Sequence, residues 1–213
     1  MGDEKIVCFE KEILNRYEIK DSIFYNKEFW GEVTENLKVF PRSKIEKDYS
    51  YKQIIVYVVI KSQNNYLVYH RSPATGEKRL SNMYSLGIGG HVNSDDVSQL
   101  HLINERAINN FFLKAVMREI NEEITINSQI IDEPKLLCFI NDDSDDVGKV
   151  HFGVVWILEI SEKKVDRRFE RGIGKINFFE LTDLIKKENL FENWSKLLIQ
   201  YFAKGGFPRV DTN

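Results

Sequence analysis

Arg118-Glu119-Ile120-Asn121-Glu122-Glu123 sets three carboxylates and one guanidinium within six residues. The segment reads as helical, and residues three and four apart on a helix share a face. Glu119, Glu122 and Glu123 can therefore converge on one point. Like charges this close cost roughly a few tenths of a kcal/mol per pair, and something cationic must offset that cost. Arg118 pairs with Glu122 at i,i+4, as it would on a plain solvated helix. A hard divalent ion, Mg²⁺ with Mn²⁺ as its substitute, suits the remaining carboxylate oxygens. An ion held this way usually sits beside substrate phosphates, so the chemistry expected here is phosphate chemistry.

Upstream lies Leu86-Gly87-Ile88-Gly89-Gly90-His91-Val92. Its three glycines read poorly as a strand interior. They suit backbone that approaches a ligand or turns with positive φ. A glycine-rich loop leading to a carboxylate helix is a candidate phosphate and metal cradle. No Gly-Lys-Ser/Thr follows, so it is not a P-loop, and it is not the dinucleotide G-x-G-x-x-G.

These elements need a fold to position them. The 213 residues, 42% hydrophobic and 30% charged, suffice for one globular domain with an extension. The net charge of −3, with Lys and Arg scattered among acids, gives no global case for nucleic acid. Cys8 and Cys138 lie far apart among apolar neighbours and read as buried thiols in a reducing cytosol. No apolar run reaches the ~18 residues of a membrane span, and the N-terminal residues lack a signal-peptide pattern. A cytoplasmic protein without a membrane partner is expected.

Residues 1–50 are charged and aromatic, with short helices expected over 11–16 and 27–37. Phe24, Tyr25, Phe29 and Trp30 form an aromatic cluster that should pack on the main domain, and these N-terminal aromatics are also a candidate homodimer contact. The β-branched run 51–61 predicts a strand, Asn64-Asn65 a turn, and 66–71 the return strand. Residues 84–92 read as extended, and 100–124 as a helix broken near Asn109-Asn110. Strands follow at 136–140, 150–160 and 175–179, then helices at 180–187 and 191–202. This order predicts an α/β (α+β) fold, an α/β/α sandwich around a mixed twisted sheet with an N-terminal helical extension. The expected division is an extension over 1–50, a catalytic domain over 51–205 and a tail over 206–213.

A glycine loop followed by Arg-Glu-Ile-Asn-Glu-Glu-Ile resembles the Nudix (MutT-like) hydrolases. Their signature is Gly, five residues, Glu, seven residues, Arg-Glu-apolar-x-Glu-Glu-x-Gly-apolar. Gly90 would be its first glycine; Arg118, Glu119, Glu122 and Glu123 match its core, and Ile120 and Ile126 its apolar positions. The resemblance covers about residues 50–203. Segments such as Phe40-Pro41-Arg42-Ser43 and Asn141-Asp142-Asp143-Ser144 look like a bacterial branch of predicted phosphoesterases in this superfamily. Three departures stand out. Gly90 and Arg118 are separated by fourteen more residues than in the compact signature, the isolated signature Glu becomes Asn110, and the final Gly becomes Thr125. Glu105 is a candidate replacement for the lost Glu. Thr125 should make the helix exit harder, because Gly is favoured there for positive φ.

The resemblance implies Mg²⁺-dependent hydrolysis of a nucleoside diphosphate linked to a group X, a small-molecule diphosphate substrate. Glu119, Glu122 and Glu123 would hold the metal, Arg118 would orient a glutamate, and the Gly89-Gly90 backbone would complete the cradle. A further carboxylate from a later loop often serves as base in this family. Glu170 is the favoured candidate, with Asp142, Asp143, Asp145 and Asp146 as rivals that read equally as a polar turn. Arg71 and His91 are candidate substrate contacts, as are Lys78 and Arg79. Tyr84 stacks on a base or packs in the core. His151 reads as a satisfied half-buried histidine and Trp156 as core. The alternatives are a non-catalytic nucleotide-binding or sensor module and an isopentenyl-diphosphate isomerase-like enzyme; neither Cys8 nor Cys138 lies in a motif for the latter.

Overall fold

The computed structural model describes residues 3–20, 22–71, 83–94, 96, 105–168 and 173–206, with no side-chain account of 22 and 105–109. It is an α/β structure with a mixed sheet. Two compact units interleave along the chain. The first takes Met1–Val56, Gly89–Met117 and Cys138–Val155; the second takes Tyr57–Ile88, Arg118–Leu137 and Trp156–Asn213.

The first unit opens with strand β1 (Lys5–Glu10), helix α1 (Glu12–Arg16), strand β2 (Ser22–Phe24), helix α2 (Lys27–Glu35), strand β3 (Lys38–Pro41) and helix α3 (Arg42–Ile45). Helices α1 and α2 were legible in the sequence; the short α3 and the strands were not. β1 buries Ile6, Val7, Cys8 and Phe9 on both faces, which erases the alternation that marks a half-buried strand. It pairs antiparallel with β3 and with the start of β4 (Tyr51–Ser62). β2 pairs antiparallel with β9 (Lys135–Asn141), Ile23 facing Ile140. The aromatic cluster is intramolecular here. Phe29 sits edge-on to Phe9, Tyr17 and Phe24, and Trp30 packs on Phe112 at 5.0 Å and on Phe139 at 4.9 Å. Asn26 caps α2 by accepting from the Phe29 amide at 3.0 Å.

Helix α4 (Glu105–Glu123) runs unbroken through Asn109 and Asn110, contrary to the expected break. Asn is a weak helix former, but burial of Phe111, Phe112, Ala115 and Val116 outweighs that local preference. Strand β7 (Gly87–His91) likewise corrects the reading of the glycine segment as unfit for a strand.

In the second unit β4 turns at Gln63, whose φ of 53° opens the tight turn, and β5 (Asn65–Arg71) returns beside it. β5 then pairs antiparallel with β12 (Ile173–Glu180) and with β6 (Tyr84–Ser85). A register shift between Ile173 and Ile176 needs Gly174, since a Cβ there would meet the His70 carbonyl at 2.6 Å. Helices α5 (Leu181–Lys186) and α6 (Asn193–Ala203) follow, with Phe202 stacked on Tyr66 at 5.4 Å. Strand β8 (Ile124–Ile126) continues directly from α4 and pairs antiparallel with β11 (Val165–Arg167). β10 (His151–Glu159) contributes to both units, and its Trp156 is core.

Candidate active site

The carboxylates sit on the last turn and a half of α4, in the second unit. Helical spacing stacks Glu119 and Glu123 four apart, with Glu122 beside them. Arg118 donates from Nη1 to Glu119 at 2.7 Å and to Glu122 at 3.5 Å. One guanidinium thus serves two carboxylates, and anions exceed cations in this segment. Glu119 is only 7% exposed, whereas the Glu122 side chain is 51% exposed. Burial pushes the Glu119 carboxyl up to about 7; Arg118 pulls it down by charge and hydrogen bond, and Glu122 and Glu123 raise it again. A carboxylate pressed towards neutrality by its surroundings is one that a bound cation would return to its charged form. The donor set is all hard oxygen, matched to Mg²⁺ or Mn²⁺. Among the described residues no group of three or more His, Cys, Asp or Glu side chains stands close enough together to hold a metal ion.

The exit from the helix departs from the expectation at Thr125. The signature glycine was expected to supply positive φ, yet the only described residues with positive φ are Glu18, Gln63 and Gly205. Thr125 is extended in β8, opposite Asp166. The Arg168 amide donates to the Glu123 carbonyl at 2.9 Å, and Arg168 Nε donates to Thr125 Oγ1 at 3.2 Å. β11 therefore takes up the helix end that a glycine turn would otherwise satisfy, and a β-branched residue suits that extended site.

Arg71 ends β5. Its guanidinium and the Glu123 carboxylate both act on the hydroxyl of buried Tyr69: burial raises that hydroxyl first, Arg71 lowers it and Glu123 raises it. The second unit thus places Arg71 within electrostatic reach of the same phenol as Glu123. Tyr84 lies 5.6 Å from Phe191 and edge-on to His70, so it packs between elements.

Glu170, Lys78 and Arg79 lie outside the described residues. Gly89, Gly90 and His91 belong to β7 in the first unit. Among the described glycines only Gly205 has positive φ, so neither Gly89 nor Gly90 is there for a left-handed turn. Gly87 has a packing reason: a Cβ there would fall 2.0 Å from the Tyr57 ring. His91 Nε2 meets Gln53 Oε1 at 2.9 Å and His151 Nε2 at 3.2 Å.

The four aspartates after β9 each have a structural bond. Asp142 accepts from the Ser144 amide at 3.1 Å, and Asp145 accepts from the amides of Val147 and Gly148 at 2.9 and 2.8 Å. Asp146 pairs with Lys149 at 2.9 Å. Asp143 pairs with Lys11 and Lys52. Lys52 went unremarked in the sequence. It is 0% exposed and also donates to the carbonyls of Gly148 at 2.7 Å and His151 at 3.2 Å. Burial raises the Asp143 carboxyl, but the hydrogen bonds and charges of the two lysines outweigh this and hold it below the ordinary carboxylate range.

A second buried network, also missed, lies in the second unit. Tyr57 donates to Glu192 at 2.8 Å and lies 2.8 Å from Ser195 Oγ, and its hydroxyl accepts from the Gly87 amide at 2.9 Å. Glu192 caps α6 through the amides of Trp194 and Ser195 at 2.9 and 3.0 Å. Buried polar groups satisfied this fully hold structure in place.

No family model matches the chain. The crystal structure of Tm1382, assigned as a Nudix hydrolase, aligns at a TM-score of 0.74 with 26% identity, covering 94% of this chain and 99% of that one. With the glutamate helix and its flanking strands, this defines the class: the chain belongs to the Nudix superfamily. More particularly, it is 30% identical over 197 residues to protein YmaB of Bacillus subtilis (strain 168), covering 90% of each. No helix of the described residues is long and apolar enough to cross a membrane.

Proposed function

We propose that this chain is a hydrolase that cleaves a diphosphate linkage in a nucleoside diphosphate-X substrate with a divalent metal. The carrying observation is the excess of carboxylate over guanidinium at Arg118–Glu123, with Glu119 buried at the centre. Glu119, Glu122 and Glu123 would hold Mg²⁺ or Mn²⁺. That ion would neutralise the diphosphate and acidify the attacking water. Arg118 positions the glutamates through its two charge-assisted bonds. Arg71 would contact a phosphate oxygen. On the family pattern, the backbone of Gly89 and Gly90 and the His91 side chain are further candidate substrate contacts, and Glu170 is the candidate general base. Tm1382 carries the same class of assignment at 26% identity, which supports a hydrolase.

The test is phosphate release from a panel of nucleoside diphosphate-X compounds with Mg²⁺ or Mn²⁺. Turnover is expected in the native chain and should fall about 100-fold or more in Glu123→Gln, with an unchanged far-UV spectrum. Undiminished turnover in that variant removes this helix as the metal site. Silence across the panel, with saturable nucleotide binding, replaces the enzyme by a binding module.

A further inference from the structure

We propose that His91, His151 and Gln53 of the first unit form a separate binding site for a borderline divalent transition metal, Zn²⁺ by its chemistry. The two Nε2 atoms face each other at 3.2 Å. A tetrahedral ion with nitrogens at about 2.0–2.1 Å sets them about 3.3–3.4 Å apart, so this pair has the spacing of two cis ligands. The ring centroids are 5.2 Å apart and the ring planes are inclined by 57°. The third donor is Gln53 Oε1, 2.9 Å from His91 Nε2.

Two of the three donors, His151 and Gln53, are held in the ligating sense, and His91 becomes the third once its Nε2 proton is displaced. His151 Nδ1 lies 2.7 Å from the Val147 carbonyl, which can only accept, so Nδ1 carries the hydrogen and Nε2 presents its lone pair. A ligating imidazole typically donates its other ring N–H to a backbone carbonyl in this way. Lys52 fixes the His151 carbonyl at 3.2 Å and anchors the preceding turn through the Gly148 carbonyl. Gln53 is 0% exposed and its Nε2 donates to the Ile45 carbonyl at 3.3 Å, which turns Oε1 towards His91. Without an ion, one hydrogen on His91 Nε2 serves two acceptors, Gln53 Oε1 and His151 Nε2. An ion would take the place of that shared proton. Both histidines are half-buried, which leaves an approach for the ion and a position for water or a substrate atom. Imidazole nitrogen favours Zn²⁺, Ni²⁺ or Cu²⁺ over Mg²⁺, so this site and the carboxylates of α4 select different ions.

The experiment is calorimetric titration of the full chain with Zn²⁺, and with Co²⁺ to read its ligand-field absorption. It is done in the Glu123→Gln background so that the α4 carboxylates are not the binder. One equivalent of Zn²⁺ should bind, weakening about tenfold or more when His91→Gln or His151→Gln is added. Co²⁺ should show visible bands that these changes remove. Absence of saturable Zn²⁺ binding, or equal binding in the histidine variants, overturns the proposal. Should His151→Gln not fold, the half-exposed His91→Gln decides alone. Absence of hydrolysis by the native chain across the diphosphate panel, with Zn²⁺ binding intact, would count against the function proposed above and leave this site standing.

Discussion

Two charged clusters in this molecule are built on opposite principles. In the first unit, Lys52 is fully buried and all three of its ammonium hydrogens have acceptors: Asp143 and the carbonyls of Gly148 and His151. Lys11 takes the other oxygen of Asp143. In the second unit, one guanidinium faces Glu119 and Glu122 while Glu123 stacks beside them. The first cluster is complete within the chain and serves the fold. The second sets three carboxylates against one guanidinium within its own six residues and leaves Glu122 half-exposed. Buried charges matched by acceptors within the chain hold structure in place, whereas the carboxylate-rich helix turn is where the proposed function puts its metal.

The comparison breaks if neutralising either cluster has the same consequence. The largest effect is expected at Glu123→Gln. Hydrolysis should fall about 100-fold or more, while the free energy of unfolding stays within about 0.5 kcal/mol, because a like-charge contact is relieved. Chemical denaturation alongside the activity assay checks both. Lys52→Met should do the reverse in kind, costing about 3 kcal/mol of stability by stripping a buried partner from Asp143 and two carbonyls. A denaturation midpoint equal to the native one would show the buried ammonium to be dispensable.

Tyr57→Phe sharpens the contrast with a complete cluster that carries no cation. It removes one hydroxyl from Glu192, Ser195 and the Gly87 amide, and about 1–2 kcal/mol of stability should go with it. Asp143 adds a pH axis. Its folded-state carboxyl is held below the ordinary value, so its contribution is present above the unfolded pKa of about 4 and is lost as pH falls through the folded value. The stability gap between the native chain and Asp143→Asn should therefore narrow in acid; a gap constant down to pH 2 would contradict the pairing. The smallest effect belongs to Thr125→Gly. Restoring the signature residue should lower stability by about 0.5–1 kcal/mol, because Thr125 is extended and paired.

The carboxylate-rich hexapeptide was legible because its information is local. Carboxylates three and four apart declare a shared helix face without any knowledge of the rest of the chain. The strands over 51–61 and 150–160 were legible for the same reason, through runs of β-branched residues. The first fifty residues were legible only in part. β1 is buried on both faces and shows no period, and β2 is three residues long. The helix break expected at Asn109-Asn110 failed because packing of Phe111 and Phe112 overrode local propensity.

The sequence alone determined the carboxylate helix, which follows from side-chain type and a period of 3.6, and the superfamily resemblance that its residues carry. It could also mark Thr125 as a departure. Only the tertiary structure decided what that departure means, by bringing β11 to β8 forty residues on. The same holds for Lys52, which reads as an ordinary strand lysine until Asp143 arrives from 91 residues away. It holds again for Tyr57 and Glu192, separated by 135 residues, and for the facing nitrogens of His91 and His151. Partners so distant leave no spacing to read, because the fold that joins them is set by burial of the apolar residues between them.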